Sequence, residues 1–164
     1  MSESFLSVDI GEVSLGDLIS PSYNPRHDIR DDPEQYEFLY KSITRFSYAN
    51  LITVNRRNMH IVSGNQRYKV ICDMCEDKGL DINEVRITVL FVDMDEAEEM
   101  AANSVLNHVH MSDDKDMLAI MMDEIRALDE ELLDFTGFAR DDVDKMIAQI
   151  SAVMPEQDMP APLE

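Results

Sequence analysis

The stretch His60-Ile61-Val62-Ser63-Gly64-Asn65-Gln66-Arg67-Tyr68 constrains this chain more than any other. Ile61 and Val62 favour a strand. Gly64 ends it with a residue that accepts backbone angles others resist. From Gln66 the apolar residues take helical spacing, with Tyr68, Ile71 and Cys75 on one face and Val70 and Met74 beside it. A helix that starts directly after a glycine turn leaves backbone N–H groups and the positive end of its dipole open, which suits an anion. Arg67 falls in the first turn and can fork onto a phosphate. Taken alone, the turn fits a plain connection better, since short glycine motifs recur by chance.

Charge favours the anion. The chain carries 14 Lys and Arg against 34 Asp and Glu, a formal net charge of -20. Yet no acid occurs between Glu37 and Asp73, a span that holds Lys41, Arg45, Arg56, Arg57, Arg67 and Lys69. A basic island in an acidic protein, centred on a strand–glycine–helix turn, points to a polyanion. Residues 93–164 hold 4 bases and 20 acids, so this part should repel duplex DNA.

At 164 residues the expectation is one domain with a small appendage. No apolar run reaches membrane-spanning length, and Met1-Ser2-Glu3-Ser4 lacks the parts of a signal peptide, so the expected location is cytoplasmic, with no membrane partner. Cys72 and Cys75 form a C-x-x-C inside a helix; no second pair completes a zinc site, and packing is the expected role. His108 and His110 with Asp113 or Asp114 read as helix-terminal polar residues. Asp113-Asp114-x-Asp116 and Asp141-Asp142-x-Asp144 lack the glycine and distal glutamate of a calcium loop and suit helix starts instead. The 12 methionines read as adaptable core filler.

In order, Phe5–Val8 and Glu12–Leu15 are short strand candidates, and Gly16–Ile19 is a turn or short helix. Pro21 and Pro25 keep Ser20–Arg26 extended, so Arg26 is presented from a stiff loop. Asp28–Asp32 is an acidic loop. Asp32 caps a helix with Pro33 in its first position, running to Phe46 and burying Tyr36, Leu39, Ile43 and Tyr40. Leu51–Asn55 and Met59–Ser63 form a hairpin across Arg56-Arg57-Asn58. The next helix fades at Lys78-Gly79. Val85–Val92, almost wholly apolar or β-branched, is a central strand. A helix from Asp95 to Asn107 turns Ala97, Met100, Ala101 and Val105 inward. Another runs through Met117, Ile120, Met121, Glu124 and Leu128, and Arg140–Val153 is the last, with Val143, Met146, Ile147 and Ile150 inward. The result is an α+β chain: a small mixed sheet with packed helices over residues 1–110, a helical extension over 111–153 and a disordered tail over 154–164.

Asn24-Pro25-Arg26, the helix after it, the hairpin into Ser63-Gly64-Asn65-Gln66-Arg67, Val85–Val92 and the following helix together resemble the ParB N-terminal domain of the ParB/sulfiredoxin superfamily. Asp113–Leu118 and Thr136-Gly137-Phe138 look most like stand-alone phage and mobile-element members. The resemblance spans roughly residues 12 to 150 and implies a nucleotide site, since ParB proteins bind and hydrolyse CTP and relatives act as ATPases, free-serine kinases or sulfiredoxins. It places the phosphates on Ser63, Gly64, Asn65, Gln66 and Arg67, with Arg26 as a clamp. Asn107 falls near the asparagine of a Glu-Asn-x-x-Arg motif that helps hold metal and phosphate in ParB. Leu106 stands where that motif has its glutamate, His110 where it has its arginine, and Tyr68 where a second arginine follows the turn. Asn65 occupies the place of the sulfiredoxin cysteine.

Three functions follow. The first is a module for CTP or ATP, with or without Mg²⁺, acting as a switch or weak NTPase in a DNA-maintenance, DNA-modification or mobile-element setting. Its partners would be a DNA-associated protein, a methyltransferase or a second copy of the chain. The second is a phosphotransferase or nuclease, for which Glu37 and Asp28 are the nearest candidate bases. The third is an acidic adaptor or DNA mimic without catalysis.

Overall fold

The strand Arg86–Val92 (β4) has a partner on each side. Asp9–Ser14 (β1) pairs with it antiparallel, from Asp9 opposite Phe91 to Ser14 opposite Arg86. Ile52–Asn55 (β2) pairs with it parallel, from Ile52 opposite Val89 to Asn55 opposite Val92. His60–Ser63 (β3) returns antiparallel to β2 with an irregularity at Thr53 and Val54, giving the order β1-β4-β2-β3. A parallel β2–β4 pair needs a long crossover. The chain makes it through β3 and the helix Asn65–Asp77 (α2). This computed structural model describes residues 9–24, 26–108 and 115–153, and the chain divides into two compact units at Val109 and His110. Phe5–Val8 and residues 154–164 lie outside the described residues.

In the first unit, the alternation of β2 and β3 sets two faces. Ile52, Val54 and Ile61 join Val13, Leu15, Leu18, Cys75 and Val89 in the main core, with Tyr68 and Ile71 packed against it. Each such aliphatic side chain contributes about 1.5–3 kcal/mol through burial. The helix Pro33–Phe46 (α1) starts as its sequence predicts: the Asp32 side chain accepts from the Gln35 N–H at 3.1 Å, and Pro33 holds the first position. The apolar side chains expected inside are only half-buried, however. Tyr36, Leu39, Tyr40 and Ile43 reach no core, and the helix has no buried residue among those described. The acidic loop ahead of it contains a 3-10 turn, Ile29–Asp31.

The helix Glu96–His108 (α3) reverses the expected orientation. Ala97, Met100, Ala101 and Val105 face outward, Met100 at 44% and Val105 at 56% exposure, while Glu99 and Asn103 are 1% and 2% exposed. Two residues along a helix is a rotation of about 200°, so the buried pair lies opposite the apolar set. The reason is the chemistry of the surface α3 covers. Asn103 Nδ2 donates to the Val62 carbonyl at 3.0 Å, and Glu99 meets a ring of donors.

That ring ties the loop at Tyr23 and the β2–β3 hairpin to α3. Glu99 Oε1 accepts from the Tyr23 hydroxyl and lies 2.7 Å from His60 Nδ1. Oε2 accepts from Asn58 Nδ2 at 2.8 Å and from Asn55 Nδ2. Asn55 also donates to the Met94 carbonyl at 3.0 Å. Burial pushes the Glu99 carboxyl up, but the hydrogen bonds from Tyr23, Asn55, Asn58 and His60 outweigh it and hold the group at about 2.

In the second unit, Lys115–Leu128 (α4) and Arg140–Val153 (α5) are joined through a 3-10 turn, Glu130–Phe135, and Gly137 at φ 89°. Val143 and Ile150 point inward with Met146 and Ile147 beside them. On α4 the inward residues are Ala119, Ile120 and Met122; Met121 and Leu128 are exposed, and the Met117 side chain lies outside the described residues.

Because the folded Glu99 carboxyl sits below its ordinary value of 4.5, its contribution is present above that pH and is lost as pH falls toward about 2. Glu99→Gln is expected to remove roughly 1–3 kcal/mol at pH 7 and much less near pH 3. Urea denaturation of both proteins at the two pH values checks this; parallel pH dependences would contradict it.

Candidate functional site

The turn between β3 and α2 needs glycine. Gly64 has φ 103°, and a Cβ there would lie 2.8 Å from Arg67 Nη2 and 3.0 Å from Ile52 Cγ1. No side chain caps α2. Its first-turn N–H groups therefore await an acceptor from outside the helix. Beside them opens a cleft of about 500 Å³. Arg26, Ser63, Gly64, Asn65, Gln66 and Arg67, all singled out in the sequence, line this one cleft. So do Gln35, Phe38 and Leu39 from α1, together with Asn24, Asn50 and Leu106. Leu39, read from periodicity as core, is a wall of the cleft.

Arg67 is the unusual group. One guanidinium nitrogen, Nη2, donates to the Leu51 carbonyl at 3.4 Å, while the buried Nε has no partner among the described residues. Burial lowers its pKa, Tyr48 opposes that, and the nearby charge of Arg26 lowers it further. Two cations thus share one opening.

The other turn side chains are already engaged. Asn65 is buried, donates to the Ile61 carbonyl at 3.3 Å and accepts from Ser20 Oγ at 2.6 Å. Gln66 donates through Nε2 to the His27 carbonyl at 2.6 Å and accepts the Ile29 N–H at 3.0 Å. For an anion, these two residues offer their main-chain amides. Ser63 is half-buried at the end of β3.

The remaining sequence candidates fall elsewhere. Glu37 is 67% exposed, pairs with Lys41 at 2.8 Å and does not line the cleft. Asp28 accepts from the Arg30 N–H at 3.0 Å and pairs with Lys69 at 3.1 Å; those contacts hold its carboxyl below the usual range. Neither is poised as a base. The side chain of Asn107 and residues 109–114, His110, Asp113 and Asp114 among them, lie outside the described residues. Cys75 is in the core and Cys72 is half-buried, with its thiol pushed up by burial, as packing cysteines are.

Magnesium wants carboxylate or phosphate oxygens. Among the described residues the cleft lining has two arginines and no carboxylate, so its own donor set does not fit a divalent cation. Sequence reasoning missed Glu99 and its ring entirely. A glutamate in an acidic helix carries no burial signal, and its donors, Tyr23, Asn55, Asn58 and His60, are scattered along the chain.

No protein-family model matches the chain, and no curated protein matches it. Among solved structures it is similar to the C-terminally truncated chromosome-partitioning protein ParB from Caulobacter crescentus complexed with CTP-gamma-S. That match has TM-score 0.65 and 16% identity and covers 91% of this chain and 81% of that one. A Pnob8-like ParB-N domain matches at TM-score 0.44 and 18% identity, over 99% of this chain and 56% of that one. The fold is therefore ParB-N-like, as the sequence resemblance implied.

Gly64→Ala is expected to destabilise the protein by roughly 1–2 kcal/mol through the positive φ alone, with more from the collision with Arg67. Thermal unfolding checks the loss. A wild-type melting temperature in the variant would contradict it.

Proposed function

We propose that the chain is a nucleotide-binding module that holds CTP or ATP by its phosphates at the start of α2. The observation that carries this reading is the buried Nε of Arg67, unpartnered among the described residues, set beside an uncapped helix start in a cleft that Arg26 also lines. A buried charged donor without an acceptor is costly, and an incoming anion removes that cost. A phosphate chain offers acceptors to Arg67, to the amides of residues 65–67 and to Arg26 in one ligand. Phe38 and Leu39 give a sugar or base an apolar wall, and Gln35 and Asn50 supply amide groups near it. The similar ParB is complexed with CTP-gamma-S, which supports the same ligand class for this fold.

In this reading the nucleotide is an occupancy signal rather than a fuel. Hydrolysis is slow or absent, because no described lining residue is a carboxylate able to serve as base. The setting is DNA maintenance, DNA modification or a mobile element, in the cytoplasm; among the described residues no helix is long and apolar enough to cross a membrane. The output is a protein contact, with a DNA-associated protein, a methyltransferase or a second copy, because the acidic half disfavours DNA itself. That same charge favours a second reading, an acidic adaptor docking on a basic partner.

Isothermal titration with CTP, ATP and tripolyphosphate tests the proposal. Arg67→Ala is expected to weaken binding about 10- to 100-fold, the loss of one charge-assisted contact. Affinity is expected to fall with added salt and to be the same in EDTA as in Mg²⁺. Equal titrations of wild type and Arg67→Ala would remove the proposal.

A further inference from the structure

Gln66 lies in the first turn of the helix proposed to bind phosphate, yet its side chain turns away to the loop that carries Arg26. The amide makes two bonds to one short backbone segment: Nε2 to the His27 carbonyl at 2.6 Å and Oε1 from the Ile29 N–H at 3.0 Å. Asp28 is bracketed between them, so the segment cannot slide along the helix without losing both bonds.

The same stripe of α2 continues the grip. Lys69 pairs with Asp28 at 3.1 Å, and Asp73 takes Arg30 at 2.9 Å through Nε and 2.5 Å through Nη2. The Tyr36 hydroxyl of α1 also donates to Asp73, at 3.0 Å. Positions 66, 69 and 73 are spaced three and four apart and so share one face of α2. That face is given over to residues 27–31 and the start of α1, and Gln66 is its contact closest to Arg26.

We propose that Gln66 is a positioning residue, whose side-chain amide staples the 27–29 backbone to α2 and thereby sets Arg26 opposite Arg67 for a shared polyphosphate. The inference rests on the nucleotide reading above. Arg67 belongs to α2 itself and needs no staple. Arg26 is joined directly to His27, whose carbonyl Gln66 holds. Losing the staple lets the loop sample other positions, and apparent affinity falls in proportion to the competent fraction.

The test is a double-mutant cycle with CTP and tripolyphosphate on the full chain, using Gln66→Ala, Arg26→Ala and the double variant. Gln66→Ala is expected to weaken binding about tenfold in the wild type and less than about twofold once Arg26 is alanine. Gln66→Met, which keeps the length of the side chain and loses its polar atoms, is expected to match Gln66→Ala. Amide exchange at Ile29 is expected to quicken in both Gln66 variants without ligand. Equal losses in the two backgrounds would mean that Gln66 touches the ligand directly or acts on the fold at large, and would overturn the proposal while nucleotide binding stands. Unchanged Ile29 exchange would overturn it too. A wild-type chain that binds neither ligand would overturn this inference together with the reading beneath it.

Discussion

The left-handed bend at Gly64 is the constraint on which the site depends. It stops β3 and starts α2 with no side chain between them, and it leaves room for the Arg67 guanidinium to fold back toward Ile52 and the Leu51 carbonyl. A Cβ at this position removes that space. One residue thus fixes an uncapped helix start and a half-buried cation within a few ångströms of each other. Neither feature alone makes an anion site, because helix starts are common and surface arginines are mostly solvated. Their forced proximity is what the fold contributes.

Two polar networks hold the walls around that corner. On one side Glu99 gathers Tyr23, Asn55, Asn58 and His60, which fixes the loop before Asn24 to the hairpin and to α3. On the other, Gln66, Lys69 and Asp73 hold residues 27–31 to α2. Between them Ser20 reaches Asn65 inside the turn. Residues 20–24 and 26–31, which bring Asn24, Arg26 and Ile29 to the cleft, are therefore pinned at several points.

The contrast between legible and hidden elements has a physical basis. The start of α1 was legible because Asp32 and Pro33 act locally, through one cap bond and one fixed φ. The hairpin, β4 and the break at Gly64 were legible for the same reason: alternation, β-branching and glycine act within a few residues. The inward face of α3 was not. Hydropathy assigns burial to Met100 and Val105, and only the polar groups waiting on β2, β3 and their turn, donors for Glu99 and the Val62 carbonyl for Asn103, make these two the buried pair. Within the cleft, Arg67 could be named from charge and turn chemistry, and Arg26 from the resemblance to the ParB N-terminal domain. The engagement of the Asn65 and Gln66 side chains could not, because their partners at Ser20, His27 and Ile29 are distant in sequence.

Ile19 has an effect beyond the site. Its N–H donates to the Met59 carbonyl at 3.0 Å and its carbonyl accepts from the Ile61 N–H at 2.8 Å, against the outer side of β3. An open flank of that kind is where a foreign strand attaches most readily. Here a bridging residue occupies part of that flank, so less of the β3 margin is left for an incoming strand.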